Sequence, residues 1–283
     1  MARIVGSIMS THVPSIAGAM SRHAEGEPYW KPFFDGYEPV RAWLDEVRPD
    51  VAVVVHNDHG LNFFLDKMPT FAVGCAPQYL HADEGWGIPE VEPFPGDPQL
   101  SWHLVESLIG EEFDLTTCQE MLVDHAVTNP MQLCWPDPDD RAAIRIVPVT
   151  VNTVMFPYPS ARRCYALGEA IGRAITSYDA EEDLKVVLMG TGGLSHQLEG
   201  RRAGFINKEF DLRFLESLTE EPAWATQYSG EDLVRLTGSQ GVELLMWLTA
   251  RAALLGGARK VTSNYHIPIS NTAAGTVVLE PAA

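Results

Sequence analysis

Four histidines follow apolar, strand-like runs in this chain: His12 after Arg3–Met9, His59 after Val51–Val55, His125 after Cys118–Val123 and His196 after Lys185–Gly190. One such histidine is ordinarily a hydrogen-bonded structural residue. Four in equivalent settings ask for a shared explanation. Strand ends along one edge of an open α/β sheet converge in space, and ligands bind there. Glu243 adds a carboxylate. It lies in GVELLMWL, apolar on nearly every side, and a carboxylate is buried only when paired or bound to metal. Arg251 lies two turns further on, about 12 Å along a helix, too far to pair with it, so an arginine partner, the alternative to a metal, would have to come from another element. His59 and Glu243 therefore read as metal ligands drawn from distant parts of the chain. Two histidines and one carboxylate form the facial set of non-haem Fe(II) oxygenases, with coordination positions left open. The same donors serve catalytic zinc, so a zinc hydrolase stands as the competing reading.

His196 ends the run Gly190-Thr191-Gly192-Gly193-Leu194-Ser195. Glycines there let backbone approach a ligand closely. The run lacks the Gly-Lys-Ser/Thr ending of a phosphate loop. A histidine on such a turn suits general acid–base work, because its pKa sits near neutral pH. Ser195 and His196 are sequence neighbours, a poor geometry for a nucleophile and its base, which argues against a serine hydrolase. The turn Pro268–Thr272 offers hydroxyl and N–H groups for a substrate carboxylate or phenol, or is simply a capped surface turn. His56 reads as a neighbour of the site without a clear role. His23, His81 and His103 read as surface or loop residues.

These residues need elements to carry them. Five apolar residues at Val51–Val55 form a buried strand, too short for a helix. Further strands are expected at Arg3–Met9, Phe71–Gly74, Ile144–Val151, where Pro148 suggests an edge or bulge, Lys185–Gly190 and the end of Asn264–Leu279. Helical periodicity marks Pro39–Val47, Leu100–Ile109, Ala161–Tyr178, Asn207–Leu218 and Glu231–Leu236. Ser239–Leu255 reads as the longest helix, capped by serine and closed by Gly256 and Gly257. Gln78–Pro98, rich in Pro and Gly, reads as a long loop, a kind that is often functional. Trp135–Arg141 reads as an acidic surface loop. Strands alternating with helices give an α/β class: one domain over 1–283, a central mixed sheet flanked by helices.

Composition bounds the rest. A chain of 283 residues, 46% hydrophobic, can fill one large core. A formal charge of −18 argues against duplex nucleic acid and acidic membranes as partners. The four cysteines show no CxxC or zinc-finger spacing, so buried thiols in a reducing, cytoplasmic setting are expected. The first twenty residues lack the apolar core of a signal peptide, and no run is long enough to span a membrane.

With these pieces in view, the sequence resembles the LigB-type (class III) extradiol ring-cleavage dioxygenases, especially the catalytic β subunits of protocatechuate 4,5-dioxygenases and the gallate dioxygenases. The matching segments are STHVPS, NDHG, VDHAVTNP, GTGGLSHQL, FINKEFD, QGVELLMWL and YHIPISNTAAG, in order along nearly the whole chain. The resemblance implies Fe(II) held by His12, His59 and Glu243, with His196 as the acid–base residue. It implies that His125, Asn57 and Ser270 line the substrate pocket. It also implies a catecholic acid and O2 as substrates, the acid being protocatechuate, gallate or 3-O-methylgallate in type. His56 departs from the pattern, which has an aromatic or apolar residue before NDH, so the fit of the ring is expected to differ. Protocatechuate enzymes of this type carry a small helical α subunit over the site. No segment here supplies that cover, so a separate small partner or a homo-oligomer is expected. A non-catalytic relative that binds a protein would have no use for all four of His12, His59, His196 and Glu243.

Overall fold

The computed structural model describes residues 1–85, 88–180, 183–269 and 271–282. Its strands are β1 (Ala2–Ser10), β2 (Val51–His56), β3 (Phe71–Gly74), β4 (Gln78–His81), β5 (Phe94–Pro95), β6 (Thr116–Cys118), β7 (Leu122–Val123), β8 (Arg145–Val151), β9 (Leu184–Thr191), β10 (Ala258–Ile269) and β11 (Thr272–Pro281). Its α-helices are α1 (Pro14–Ser21), α2 (Lys31–Asp35), α3 (Glu38–Val47), α4 (Pro98–Gly110), α5 (His125–Cys134), α6 (Pro138–Ala143), α7 (Ala161–Ser177), α8 (Lys208–Glu220), α9 (Gly230–Thr237) and α10 (Leu244–Ala252).

Eight strands form one mixed sheet in the order β10-β11-β1-β9-β2-β8-β3-β6. The middle four, β1, β9, β2 and β8, run parallel. Their carboxyl ends therefore lie along one edge, and β1, β2 and β9 deliver His12, His59 and His196 to it. Strand β2 shows why a continuous apolar run was needed. Val51, Val53 and Val55 pack into one core, under α4, α7 and α10. Ala52 and Val54 pack into the other, with α1, α2, α3 and α5. Both faces are covered, which is the usual condition of parallel strands. Helix α7 buries Leu167, Ala170, Ile171, Ala174 and Ile175, the face its periodicity marks. Each large aliphatic residue buried there contributes roughly 1.5–3 kcal/mol.

The structure corrects several sequence expectations. Strand β8 is interior, paired to β2 on one side and β3 on the other. Pro148 is tolerated because the ladder to β3 ends at Val149, so its missing N–H costs no bond on that side. Residues 135–141 are not all loop: Asp137 caps the short helix α6. Helix α5 begins at His125 itself, and its internal Pro130 hid it from a periodicity reading. The segment 78–98 contains β4 and β5. His81 is buried on β4, and His103 is half-buried with Nε2 2.9 Å from Ala174 O. Ser239–Leu255 splits into a 3-10 turn, Gly241–Glu243, and α10, and α7 is longer. No serine side chain caps that turn.

Candidate metal centre and substrate cavity

Each strand end is fixed by a different device. Beyond β1, Thr11 exchanges hydrogen bonds with Gly275 of β11 (Thr11 N to Gly275 O 3.1 Å, Gly275 N to Thr11 Oγ1 2.9 Å). Asn129 Nδ2 donates to the carbonyls of His12 and Val13, at 3.2 and 3.0 Å. Beyond β2, the Asp58 carboxylate accepts from the amides of Gly60, Leu61, Asn62 and Phe63 and folds the NDHG turn around itself. Beyond β9, Gly192 takes φ +139°, and a Cβ there would lie 2.8 Å from Glu243 Cβ. At Gly193 a Cβ would lie 2.4 Å from the His196 ring. Only glycines let this turn close on the carboxylate. The turn is pinned from behind by Asp211, whose Oδ1 accepts from Ser195 N at 3.0 Å and Ser195 Oγ at 2.7 Å, while Tyr265 Oη donates to Oδ2 at 2.8 Å.

Glu243, 4% exposed, sits where these ends meet. Its Oε2 lies 3.3 Å from His12 Nε2 and 3.7 Å from His196 Nε2, and its Oε1 lies 3.9 Å from His59 Nε2. Gly193 N donates to Oε2 at 2.8 Å, and Asn57 Nδ2 donates to Oε1 at 3.3 Å. The far nitrogens of the rings are tied down. His59 Nδ1 donates to Asp124 Oδ2 at 3.0 Å, and His196 Nδ1 donates to Leu194 O at 3.1 Å. His12 Nδ1 lies 3.3 Å from Thr191 Oγ1. A carbonyl or carboxylate can only accept, so His59 and His196 carry their proton on Nδ1 and turn Nε2 toward Glu243.

His125 joins the group more tightly than its sequence position suggests. Its ring stacks on His59 with centroids 4.1 Å apart, and it meets His12 edge-on at 5.3 Å. Ring nitrogens of His12, His59 and His125 lie within 4.8 Å of one another, a second arrangement able to hold a cation. Its Nδ1 and backbone N donate to Glu84 Oε1 and Oε2, at 2.5 and 2.8 Å.

The electrostatics suit a cation. Burial opposes charge on every group, yet three carboxylates stay ionised. Glu243 is held well below the usual range by His12, His196 and His59. Asp124 is lowered by His59 foremost, and Glu84 is lowered to about 2 by its hydrogen bond to His125, with His81 Nε2 3.9 Å away adding to the effect. Burial outweighs Glu243 at His12 and drops its pKa to about 4. At His59 the opposite holds: Asp124 and Glu243 together overcome burial and raise it to about 10. A proton on His59 thus stands where a divalent ion would otherwise balance Glu243 and Asp124. The donor set, imidazole Nε2 atoms around an ionised carboxylate, fits a catalytic transition metal, whose binding would displace the second proton of His59.

The site residues expected from sequence come together, except that Ser270 lies outside the described residues. Asn57 faces the cavity and is 1% exposed, and its Oδ1 has no hydrogen-bond partner among the described residues. His56, by contrast, turns away into the sheet, with Nδ1 on Asn57 O at 2.9 Å and Nε2 3.3 Å from Thr150 Oγ1. It is not among the described residues that line the cavity. Sequence reasoning missed Asp58, Glu84, Asp124 and Asp211. Asp124 left a signal: Asp before an emerging helix is a preferred cap, and its Oδ1 accepts from Ala126 N at 2.9 Å. Glu84 left only its place in the long Pro/Gly segment. The cavity, about 840 Å³, is lined by His12, Asn57, His59, His125, His196 and Glu243, with α1 along one wall.

Fold and site together define an α/β protein with a histidine–carboxylate centre at the carboxyl edge of its parallel strands, opening into a ligand-sized cavity. The chain belongs to the LigB family, the catalytic LigB subunit of aromatic ring-opening dioxygenases, which matches residues 6–275. It is 39% identical over 199 residues to a gallate dioxygenase from Pseudomonas putida, covering 70% of this chain and 57% of that protein. The chain thus spans little more than half of that relative. A 2,3-dihydroxyphenylpropionate/2,3-dihydroxicinnamic acid 1,2-dioxygenase from Rhodococcus jostii is 26% identical, covering 84% of this chain and 87% of that protein. An uncharacterized protein of Escherichia coli K12, JW3007, shares the fold with a TM-score of 0.54 at 15% identity, covering 97% of this chain and 99% of its own. No helix among the described residues is long and apolar enough to cross a membrane.

Proposed function

We propose that this chain is an Fe(II)-dependent extradiol dioxygenase acting on a catecholic acid of the protocatechuate or gallate type. The observation that carries the reading is Glu243, ionised and buried among three imidazole Nε2 atoms at the wall of an 840 Å³ cavity. His12, His59 and Glu243 would hold the metal. When bound, Fe(II) lowers the pKa of a phenol and brings diol and O2 together.

The chain's own residues do the rest. Asp124 holds the His59 ring so that Nε2 faces inward. His196 is kept by Leu194 O in the tautomer whose Nε2 accepts, so it can take a proton from a substrate hydroxyl and later return it. The unpaired Asn57 Oδ1 is an acceptor for a phenolic O–H, whose arrival would remove the cost of a buried unsatisfied atom. His125, held through Nδ1 by Glu84, presents its ring beside the same space. With protocatechuate, cleavage beside the diol would give a ring-opened semialdehyde acid. Val154 and Leu198 line the cavity and are 42% and 49% exposed, which supports a second chain, a small helical subunit or another copy, covering the mouth.

Anaerobic loading with Fe(II), followed by oxygen uptake across a panel of catecholic acids, tests this reading. One acid should consume O2 in stoichiometric amount. Anaerobic hydrolytic activity with zinc instead would overturn it. His196→Ala should keep its iron and lose most of its turnover, and normal turnover in that variant would remove His196 from the mechanism.

A further inference from the structure

Helix α1 forms a wall of the cavity, and its lining residues Ser15, Gly18 and Arg22 recur at the three- and four-residue spacing of one helical face. The helix starts two residues after His12, so this face leads away from the metal centre toward the rim. Arg22, exposed at the end of α1, folds back along it. Its Nη1 lies 3.2 Å from the point a Cβ on Gly18 would occupy. The guanidinium therefore rests over Gly18, about one turn, or 5.4 Å, nearer the histidines than its own Cα level.

Arg22 is the one Lys or Arg among the described lining residues. Elsewhere Arg3, Arg145, Arg173, Arg213, Arg235 and Arg259 pair with carboxylates, and Arg41, Arg141, Arg202 and Arg251 bond to carbonyls. No such partner is present for the Arg22 guanidinium among the described residues. The acids lining the cavity are engaged: Glu243 with the histidines, Glu84 with His125, and Asp83 with Gly85 N at 2.9 Å. On a chain of net charge −18, an anionic substrate needs a local cation to enter and orient.

We infer that Arg22 is the anion subsite of the cavity, taking the carboxylate of a substrate whose two hydroxyls lie at the Glu243 end. A guanidinium offers the planar fork that matches a carboxylate. Gly18 keeps that position clear. The inference rests on the dioxygenase reading and adds to it the selection of charged over neutral catechols.

The test compares wild type with Arg22→Gln and Arg22→Lys, using protocatechuate and the uncharged 4-methylcatechol. In Arg22→Gln the KM for protocatechuate should rise about tenfold, the low end for a charge-assisted hydrogen bond because Arg22 is exposed. Its kcat, and both constants for 4-methylcatechol, should change less than about twofold, within the small effect of an ordinary surface substitution. Arg22→Lys should recover part of the loss. Equal changes for both diols, or none, would overturn the inference. If wild type cleaves neither diol, the dioxygenase reading fails separately. Calorimetry with 4-hydroxybenzoate, which lacks a second hydroxyl, then still reads the subsite: binding that weakens in Arg22→Gln supports it, and absent or unchanged binding overturns it.

Discussion

Two buried carboxylates flank the His196 turn, and they are held in opposite ways. Glu243 in front is 4% exposed, and Asp211 behind is 1% exposed. Glu243 faces three imidazoles, groups able to carry positive charge, and its pKa falls far below the usual range. Asp211 faces Ser195 and Tyr265, neutral hydroxyl and amide donors, with His196 only a minor influence. Burial wins there and raises its pKa to about 6. Burial alone thus does not decide what a carboxylate does; the charge available to its neighbours does. Glu243 is built as an anion awaiting a cation, and Asp211 as a clamp on the turn that aims His196.

That contrast is sharpest under substitution. Glu243→Gln keeps the shape and removes the anion, so stoichiometric Fe(II) binding should be lost after dialysis, as read by metal analysis. Retained iron would shift the ligand set to the three imidazoles of His12, His59 and His125, whose nitrogens also lie close enough. Asp124→Asn is the next effect in size. Asparagine still caps α5, but His59 loses the anion behind its Nδ1. A partner of this kind is worth about 10- to 100-fold in metal affinity, measurable by competition with a chelator. Affinity within twofold of wild type would show that Asp124 only caps the helix.

The legible part of this architecture is the part written in periodicity. Apolar runs ending in histidine exposed β1, β2 and β9, and with them the edge on which His12, His59 and His196 meet. Glu243 was legible because a charge stands out in GVELLMWL, although its position in a 3-10 turn before α10 was not. What stayed hidden depends on tertiary partners. Pro148 looks like an edge residue until the short length of β3 explains it. Glu84 carries no local pattern, since a loop carboxylate acquires meaning only when His125 arrives from 41 positions away. Asp211 reads as an ordinary polar residue, because the donors to its carboxylate, Ser195 and Tyr265, are neighbours in space and not along the chain.

The smallest expected effect concerns Asp211 and separates the clamp from the anion most finely. Its folded pKa of about 6 lies above the ordinary value of 3.8 that an unfolded chain would show. Between these values the folded state binds more protons than the unfolded one. Stability contributed by this group is therefore fully present below about pH 4 and declines as pH rises through about 6. Two pKa units correspond to at most about 3 kcal/mol, and relaxation of the buried group reduces this. Asp211→Asn stays neutral throughout. Its carbonyl can still accept from Ser195, and its amide can donate to Tyr265, so the turn should hold. The difference in unfolding free energy between variant and wild type, from denaturant titrations at intervals from pH 4 to pH 8, should move in favour of the variant as pH rises, while iron content stays unchanged. A difference independent of pH would mean that Asp211 is ionised in the folded protein like Glu243, and the contrast between the two carboxylates would disappear.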